Sequence, residues 1–300
     1  MTELMRINGT NLFVDDRGPK DAPPLVFVHG GPGNSCWDFM TSVGDLLAAR
    51  GLRVIGVDQR GVLRSDPLPD QPELSTAVLI EDFEAIRRTL GIDRWSALGH
   101  SAGGAYLLDY AVEHPEVFEV AVFDAPSWDC DATDRYRLPV AADLLENAGK
   151  TQAAAVCRAA AAAPHRLQFD SQVLAAMQQL GPDYLRLFTY DENGLTTYLA
   201  LAQQAPTDLD WTRGASHLPL ISDMYQDRTP RLAELDCRSA LFVGARDLVC
   251  PPATIEIYRA ATGGDVVVFE RSGHLAYVEQ PQEYADRLAD EVLAARTATN

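Results

Sequence analysis

Five residues, Gly99-His100-Ser101-Ala102-Gly103, spell G-x-S-x-G between an apolar run, Arg94-Trp95-Ser96-Ala97-Leu98, and an amphipathic one, Ala105 to Glu113. The first run reads as a strand and the second as a helix, so the pentapeptide falls on a strand-to-helix turn. A serine there takes strained backbone angles, and small neighbours let the chain bend without Cβ clashes. The turn lifts the hydroxyl off the sheet edge, and the helix start points unpaired N–H groups at any oxyanion formed beside it. A plain glycine-rich turn is the alternative reading; the flanking strand and helix favour a nucleophile, Ser101.

Two later loops supply partners for it. Ser239-Ala240-Leu241-Phe242-Val243-Gly244-Ala245-Arg246-Asp247 reads as a buried strand ending in a loop that carries a carboxylate. Val266 to Phe269 reads as another, followed by Glu270-Arg271-Ser272-Gly273-His274. Serine, then acid, then histidine is the chain order of the α/β-hydrolases, whose ligands bind at the carboxyl edge of a mostly parallel sheet. A serine hydroxyl is a weak nucleophile at neutral pH, so a base must take its proton, and the acid must hold one imidazole tautomer. The expected roles are Ser101 nucleophile, His274 base and Asp247 orienter. Asp124, in Val122-Phe123-Asp124-Ala125-Pro126, also ends a strand and is the second candidate acid.

Leu25-Val26-Phe27-Val28 reads as a buried strand running into His29-Gly30-Gly31-Pro32-Gly33. A glycine-rich loop at this place brings a backbone N–H to the reacting carbonyl, and the residue after the nucleophile supplies a second. Gly31 and Ala102 are the expected oxyanion donors. A tight turn with no ligand role is the plainer reading. His29 is expected to shape this loop, and His100 to support the elbow.

His29-Gly30-Gly31-Pro32-Gly33 resembles the H-G-G-P-G signature of the prolyl aminopeptidases, or proline iminopeptidases. Asp58-Gln59-Arg60-Gly61-Val62-Leu63-Arg64-Ser65 resembles their D-Q-R-G-x-G-x-S, with Leu63 in place of the second glycine. Gly244-Ala245-Arg246-Asp247-Leu248-Val249-Cys250-Pro251 is similar to their G-R-Y-D-x-x-C-P, and Ser272-Gly273-His274 to their histidine loop. The resemblance covers roughly residues 20 to 125 and 236 to 296. It implies a serine aminopeptidase on the α/β-hydrolase fold, in which cap acids read the substrate's free amine. Asp223 is the nearest counterpart of one such acid, and Gly30 belongs with the substrate-binding positions. Two features depart from the family: Ala102 stands where its elbow commonly has tryptophan, and its tryptophan-glutamate cap motif is not found. Hydrolysis is therefore better supported than aminopeptidase specificity.

Between Pro126 and about Arg228 strand-helix alternation gives way to helix-period segments: Leu138 to Ala148, Thr151 to Ala163, Ser171 to Leu180, Tyr184 to Phe188 and Leu195 to Gln204. Pro139, Pro164, Pro182 and Pro206 punctuate them as breakers or first-turn residues. The expected organisation is an α/β core over residues 1–127 and 229–300 with a helical cap over 128–228, inserted after the sixth main strand. Its alanine-rich run, 153–163, reads as a tightly packed helix. Trp128, Tyr136, Phe169, Tyr184, Phe188, Tyr190, Tyr198, Trp211 and Tyr225 are candidates to line an apolar pocket, most of them expected to be ordinary core.

Forty-three acidic against 25 basic residues give a net charge of −18, which disfavours nucleic acid or an anionic membrane as partner. The N-terminal segment lacks a signal-peptide pattern and no apolar run reaches membrane-spanning length, so a cytoplasmic protein is expected. Cys36, Cys130, Cys157, Cys237 and Cys250 form no C-x-x-C pair and predict no disulfide framework; Cys250 reads as a buried packing residue. No cluster has metal-ligand spacing, and no cofactor is expected. Of three functions, the four matching segments favour the first, an aminopeptidase or aminoacyl-amide hydrolase; the alternatives are a carboxylesterase, lactonase or thioesterase for a small apolar acyl group, and a non-catalytic receptor. Receptors of this fold typically lose a triad member; all three candidates are present here.

Overall fold

The computed structural model describes residues 2–69 and 74–299; Met1, residues 70–73 and Asn300, which the expected core ranges include, lie outside them. Eight strands form one sheet: β1 (Thr2–Ile7), β2 (Thr10–Arg17), β3 (Pro24–Val28), β4 (Arg53–Asp58), β5 (Trp95–His100), β6 (Phe118–Asp124), β7 (Ser239–Gly244) and β8 (Asp265–Phe269). Their spatial order is β1-β2-β4-β3-β5-β6-β7-β8. β1 and β2 make a hairpin through Asn8 and Gly9, both at positive φ (44° and 83°), as a two-residue hairpin turn requires. β2 is antiparallel to β4, and from β4 to β8 all pairings are parallel.

A parallel sheet needs helical crossovers on both faces, so its strands are apolar throughout rather than alternating. Every residue of β4 and β5 is buried. Alternation along each strand splits the core: Val26, Val28, Ala97 and Phe123 face one layer, and Leu25, Phe27, Leu98 and Val122 the other. The first layer is covered by α3 (Thr76–Thr89) and α4 (Ala102–Glu113). The second is covered by α1 (Trp37–Phe39), α2 (Asp45–Ala49), α10 (Ala276–Glu279) and α11 (Pro281–Thr299). Here Phe27 stacks on Phe39 with centroids 4.0 Å apart, and Tyr277 meets both rings edge-on. Each such ring contributes about 1.5–3 kcal/mol of burial.

Between β6 and β7 the described residues hold helices and no strand: α5 (Cys130–Asn147), α6 (Thr151–Ala161), α7 (Ser171–Gln178) and α8 (Glu192–Ala202), with 3-10 turns between and after them. α5 begins eight residues before the helix predicted from Leu138, so that Pro139, a breaker or first-turn residue in the sequence reading, lies in the helix interior. Asp129 caps it, its side chain accepting from the Asp131 N–H. The small residues Ala153, Ala154 and Cys157 of α6 pack on Leu138, Ala141, Ala142 and Leu145 of α5, and this close packing offsets the proline's lost hydrogen bond. α9 (Pro252–Thr262) follows β7. No helix among the described residues is long and apolar enough to cross a membrane.

Candidate active site

Ser101 sits between β5 and α4 at φ 57° and ψ −124°, the strained turn its sequence context predicts. The flanking glycines are required by close approach. A Cβ on Gly103 would stand 2.1 Å from the Val28 carbonyl oxygen, and one on Gly99 2.5 Å from that of Gly103. Ser101 N–H donates to the Asp124 carbonyl at 2.9 Å, while its own carbonyl accepts from Gly104 and Ser127 at 2.9 and 3.1 Å. The elbow is thus pinned on three sides. The Ser101 hydroxyl makes no hydrogen bond to a described residue.

His274 and Asp247 come together on the loops after β8 and β7. His274 Nδ1 lies 3.1 Å from Asp247 Oδ1, which also accepts the Val249 N–H at 2.8 Å; both side chains are buried. The His274 backbone N–H donates to Phe188 of the insert at 2.9 Å, tying this loop to the segment above it. Burial drives the His274 pKa below its ordinary value, more than the Asp247 carboxylate pulls it back. The imidazole is accordingly neutral at neutral pH, as a base must be.

Asp124, the second candidate acid, pairs elsewhere. His100 and Asp124 are cross-strand partners of β5 and β6, and His100 Nδ1 lies 2.8 Å from Asp124 Oδ2. Burial opposes a charge on His100, but Asp124 prevails and raises its pKa. The His100 ring lies against that of His274, centroids 4.5 Å apart, so two imidazole–carboxylate pairs stand side by side behind Ser101.

The loop after β3 presses on the elbow. A Cβ on Gly30 would fall 2.8 Å from Ser101 Cβ and 2.9 Å from the Ala102 nitrogen, so this residue leaves room for the elbow itself and is not among those lining the cavity above Ser101. Gly31, at φ 120°, and Ala102 do line that cavity. His29 holds the loop from below: its Nε2 accepts the Gln59 N–H at 3.1 Å, and the Gln59 side chain donates to the His29 carbonyl at 2.9 Å. Leu63 occupies the left-handed region at φ 35°, which explains why glycine suits this position in the motif it departs from. Arg213 clamps the turn by donating to the Leu63 and Ser65 carbonyls at 2.7 and 2.6 Å.

The cavity above Ser101 measures about 200 Å³. Phe169, Tyr184, Phe188 and Tyr225 line it; Tyr198 and Trp211 line a separate cavity of about 590 Å³, and Trp128 is core, stacked on Tyr258. Asp223, expected to face a substrate amine, lies outside it. Its carboxylate is held by Arg228, which also donates to Asp109 at 2.9 Å, and by Gln226 at 2.6 Å. The cavity carries instead an ion pair of α5, the buried Asp134 and the part-buried Arg137, 2.7 Å apart, with the Tyr225 hydroxyl on Asp134. Sequence reasoning missed both. Their only signal is i,i+3 spacing on the helix face that carries Leu138 and Ala141. Cys250 is buried, and burial pushes its thiol pKa well up. Among the described residues no three His, Cys, Asp or Glu side chains form a group able to hold a metal ion.

Residues 23–281 match the family described as alpha/beta hydrolase fold. The chain belongs to the alpha/beta hydrolase fold family. It is 26% identical over 276 residues to the proline iminopeptidase of Heyndrickxia coagulans, a match that covers 89% of each protein. To that of Xylella fastidiosa strain 9a5c it is 38% identical, but over 105 residues, 35% of this chain and 33% of the relative. Among solved structures, a proline iminopeptidase-related protein of Thermus thermophilus superposes with a TM-score of 0.79 at 24% identity, covering 98% of this chain and 97% of the other. An esterase of Exiguobacterium antarcticum does so with a TM-score of 0.67 at 19% identity, covering 97% and 99%. Both structural likenesses show the fold.

Proposed function

We propose that this protein is a serine hydrolase that works through an acyl-enzyme on Ser101. The observation that carries the reading is the buried His274–Asp247 contact beside an elbow in which the ring of His100, the residue before Ser101, lies against that of His274. His274 takes the Ser101 proton as the hydroxyl attacks a carbonyl, and later returns it to the leaving group. Asp247 holds the Nδ1–H tautomer and stabilises the imidazolium. Gly31 and Ala102 N–H groups receive the oxyanion. Water activated by His274 then releases the acid. Residues 128–228 serve as the cap over a core of 1–127 and 229–300. Five free cysteines fit a reducing, cytoplasmic setting.

Kinship with a proline iminopeptidase over 89% of the chain supports a finer reading, cleavage of an N-terminal aminoacyl amide with a proline-like or small residue. A second reading, hydrolysis of an ester, lactone or thioester of a small acyl group, is favoured by the state of Asp134. A substrate ammonium entering an apolar cavity needs an unpaired buried carboxylate, and Asp134 is already engaged by Arg137 and Tyr225, while Asp170, the other carboxylate on the wall, is exposed and caps α7. Purified protein is to be assayed on proline and alanine arylamides, their N-acetyl forms and short p-nitrophenyl esters, with fluorophosphonate labelling. Labelling at Ser101, and a loss of roughly 10⁴ to 10⁶ in kcat for Ser101→Ala, are expected. Unchanged activity in that variant would sink the serine mechanism. Turnover of free-amine arylamides with inert N-acetyl forms selects the peptidase; inert arylamides with rapid ester turnover select the esterase.

A further inference from the structure

Arg137 projects from α5 into the cavity that Ser101 lines, with only 19% of its side chain exposed. Among the described residues it makes one ion pair, through Nη2 to Asp134 Oδ1, and its buried Nε has no hydrogen-bond partner. A guanidinium offers five donors in a planar fork matched to a carboxylate, and leaving a buried charged donor unpaired is costly. The rest of the wall mixes apolar side chains such as Leu138, Val173 and Met177 with Ser127, Thr133, Tyr184 and the exposed Asp170, and among the described residues none of these hydrogen-bonds Arg137. Asp134 meets the fork through a single nitrogen, its second oxygen accepting from Tyr225, so the guanidinium is not matched by a two-pronged carboxylate contact. Asp134 serves rather to fix the fork, and it keeps Arg137 charged although burial opposes the charge.

We propose that Arg137 anchors a carboxylate on the substrate, so that the cavity selects molecules carrying an unreactive carboxylate within a few bonds of the carbonyl that Ser101 attacks. This rests on the serine-hydrolase reading and names its substrate class. The short separation follows from the cavity's size, about 200 Å³, with both residues on its wall. The carboxylate belongs either to the acyl part, as in a dicarboxylic half-ester, or to the leaving group, as in a dipeptide with a free C-terminus.

The test compares kcat/KM within two pairs: mono-p-nitrophenyl glutarate against its terminal amide, and alanyl-alanine against alanyl-alanine amide. A charged, partly buried fork–carboxylate contact predicts a preference of roughly 10- to 100-fold for the anionic member of one pair. The pair showing it tells which part of the substrate carries the charge. The preference should fall to near unity in Arg137→Gln and be partly kept in Arg137→Lys. Equal rates in both pairs, preference for the neutral members, or a preference that survives Arg137→Gln overturns the proposal. Should Arg137→Gln leave Asp134 unpaired and fail to fold, the Asp134→Asn/Arg137→Gln pair removes both charges. Glutarate binding to Ser101→Ala, measured by calorimetry against glutaramide, decides without turnover: tenfold tighter glutarate supports the anchor, and equal or absent binding refutes it. Absence of fluorophosphonate labelling at Ser101 defeats the hydrolase reading separately.

Discussion

Replacing either of two buried aspartates, Asp247 or Asp124, removes a carboxylate from a histidine, yet the two changes should part company. Asp247 Oδ1 lies 3.1 Å from His274 Nδ1, and in the proposed mechanism His274 becomes cationic in the transition state. At an effective dielectric of about 20, two unit charges at that separation attract by about 5 kcal/mol, equivalent to roughly 10⁴ in rate. An asparagine cannot replace the charge. With its oxygen kept on Val249 N–H and His274 it loses the attraction; flipped, it donates to Nδ1 and selects the wrong tautomer. Asp247→Asn should therefore lose about 10⁴ in kcat with little change in fold.

Asp124 faces His100, which takes up no proton in the proposed mechanism. Asp124→Asn removes a charge-assisted contact of 2.8 Å between buried groups, a stability loss of about 2 kcal/mol and a Tm lower by a few degrees. Its kcat should fall by less than about tenfold, since only the packing of the His100 ring on His274 is disturbed. Steady-state kinetics and thermal unfolding of both variants, on whichever substrate turns over, give the comparison. Comparable kcat losses, or the larger loss in Asp124→Asn, would refute the pairing of roles with contacts.

Stability should depend on pH through His29. In the unfolded chain it titrates near 6.5, whereas burial holds it down to about 4 in the fold. Between those values the unfolded state binds more protons, so stability is intact above pH 6.5 and falls as the pH drops toward 4, by up to about 3 kcal/mol. Urea unfolding across that range should show the loss, and His29→Asn should make it shallower, leaving the smaller share of His217 and His274, which burial also holds down; an unchanged slope in the variant removes His29 as a cause. Asp223→Asn should destabilise the Arg228–Asp109 cluster while leaving any discrimination between free and N-acetylated amines as in the wild type. A lost discrimination would return Asp223 to the substrate site.

What the chain alone made legible lies in short range. Apolar runs placed β3, β5, β7 and β8 within a residue or two, because a strand is a local pattern, but β8, read as buried, lies at the sheet edge with Asp265 and Val268 exposed and Phe269 alone buried. G-x-S-x-G located the Ser101 turn as a local strand-turn-helix pattern, in which Gly99 answers contacts of that same unit while Gly103 makes room for the end of β3, and the order serine, acid, histidine followed from topology. Contacts set by register and by distant segments were not legible. Asp124 belongs to His100 because β5 and β6 pair these positions across the sheet, a choice one residue of slippage would undo. Asp223 is captured by Arg228, itself bound to Asp109 from a helix 119 residues away in the chain, which no local pattern announces. Pro139 lies within α5 because packing against α6 outweighs a local penalty. Asp134 and Arg137 read as an ordinary helical ion pair until the fold turns that face toward Ser101. A side chain's type limits the chemistry it can do; its neighbours, which long-range packing brings together, decide which chemistry it does.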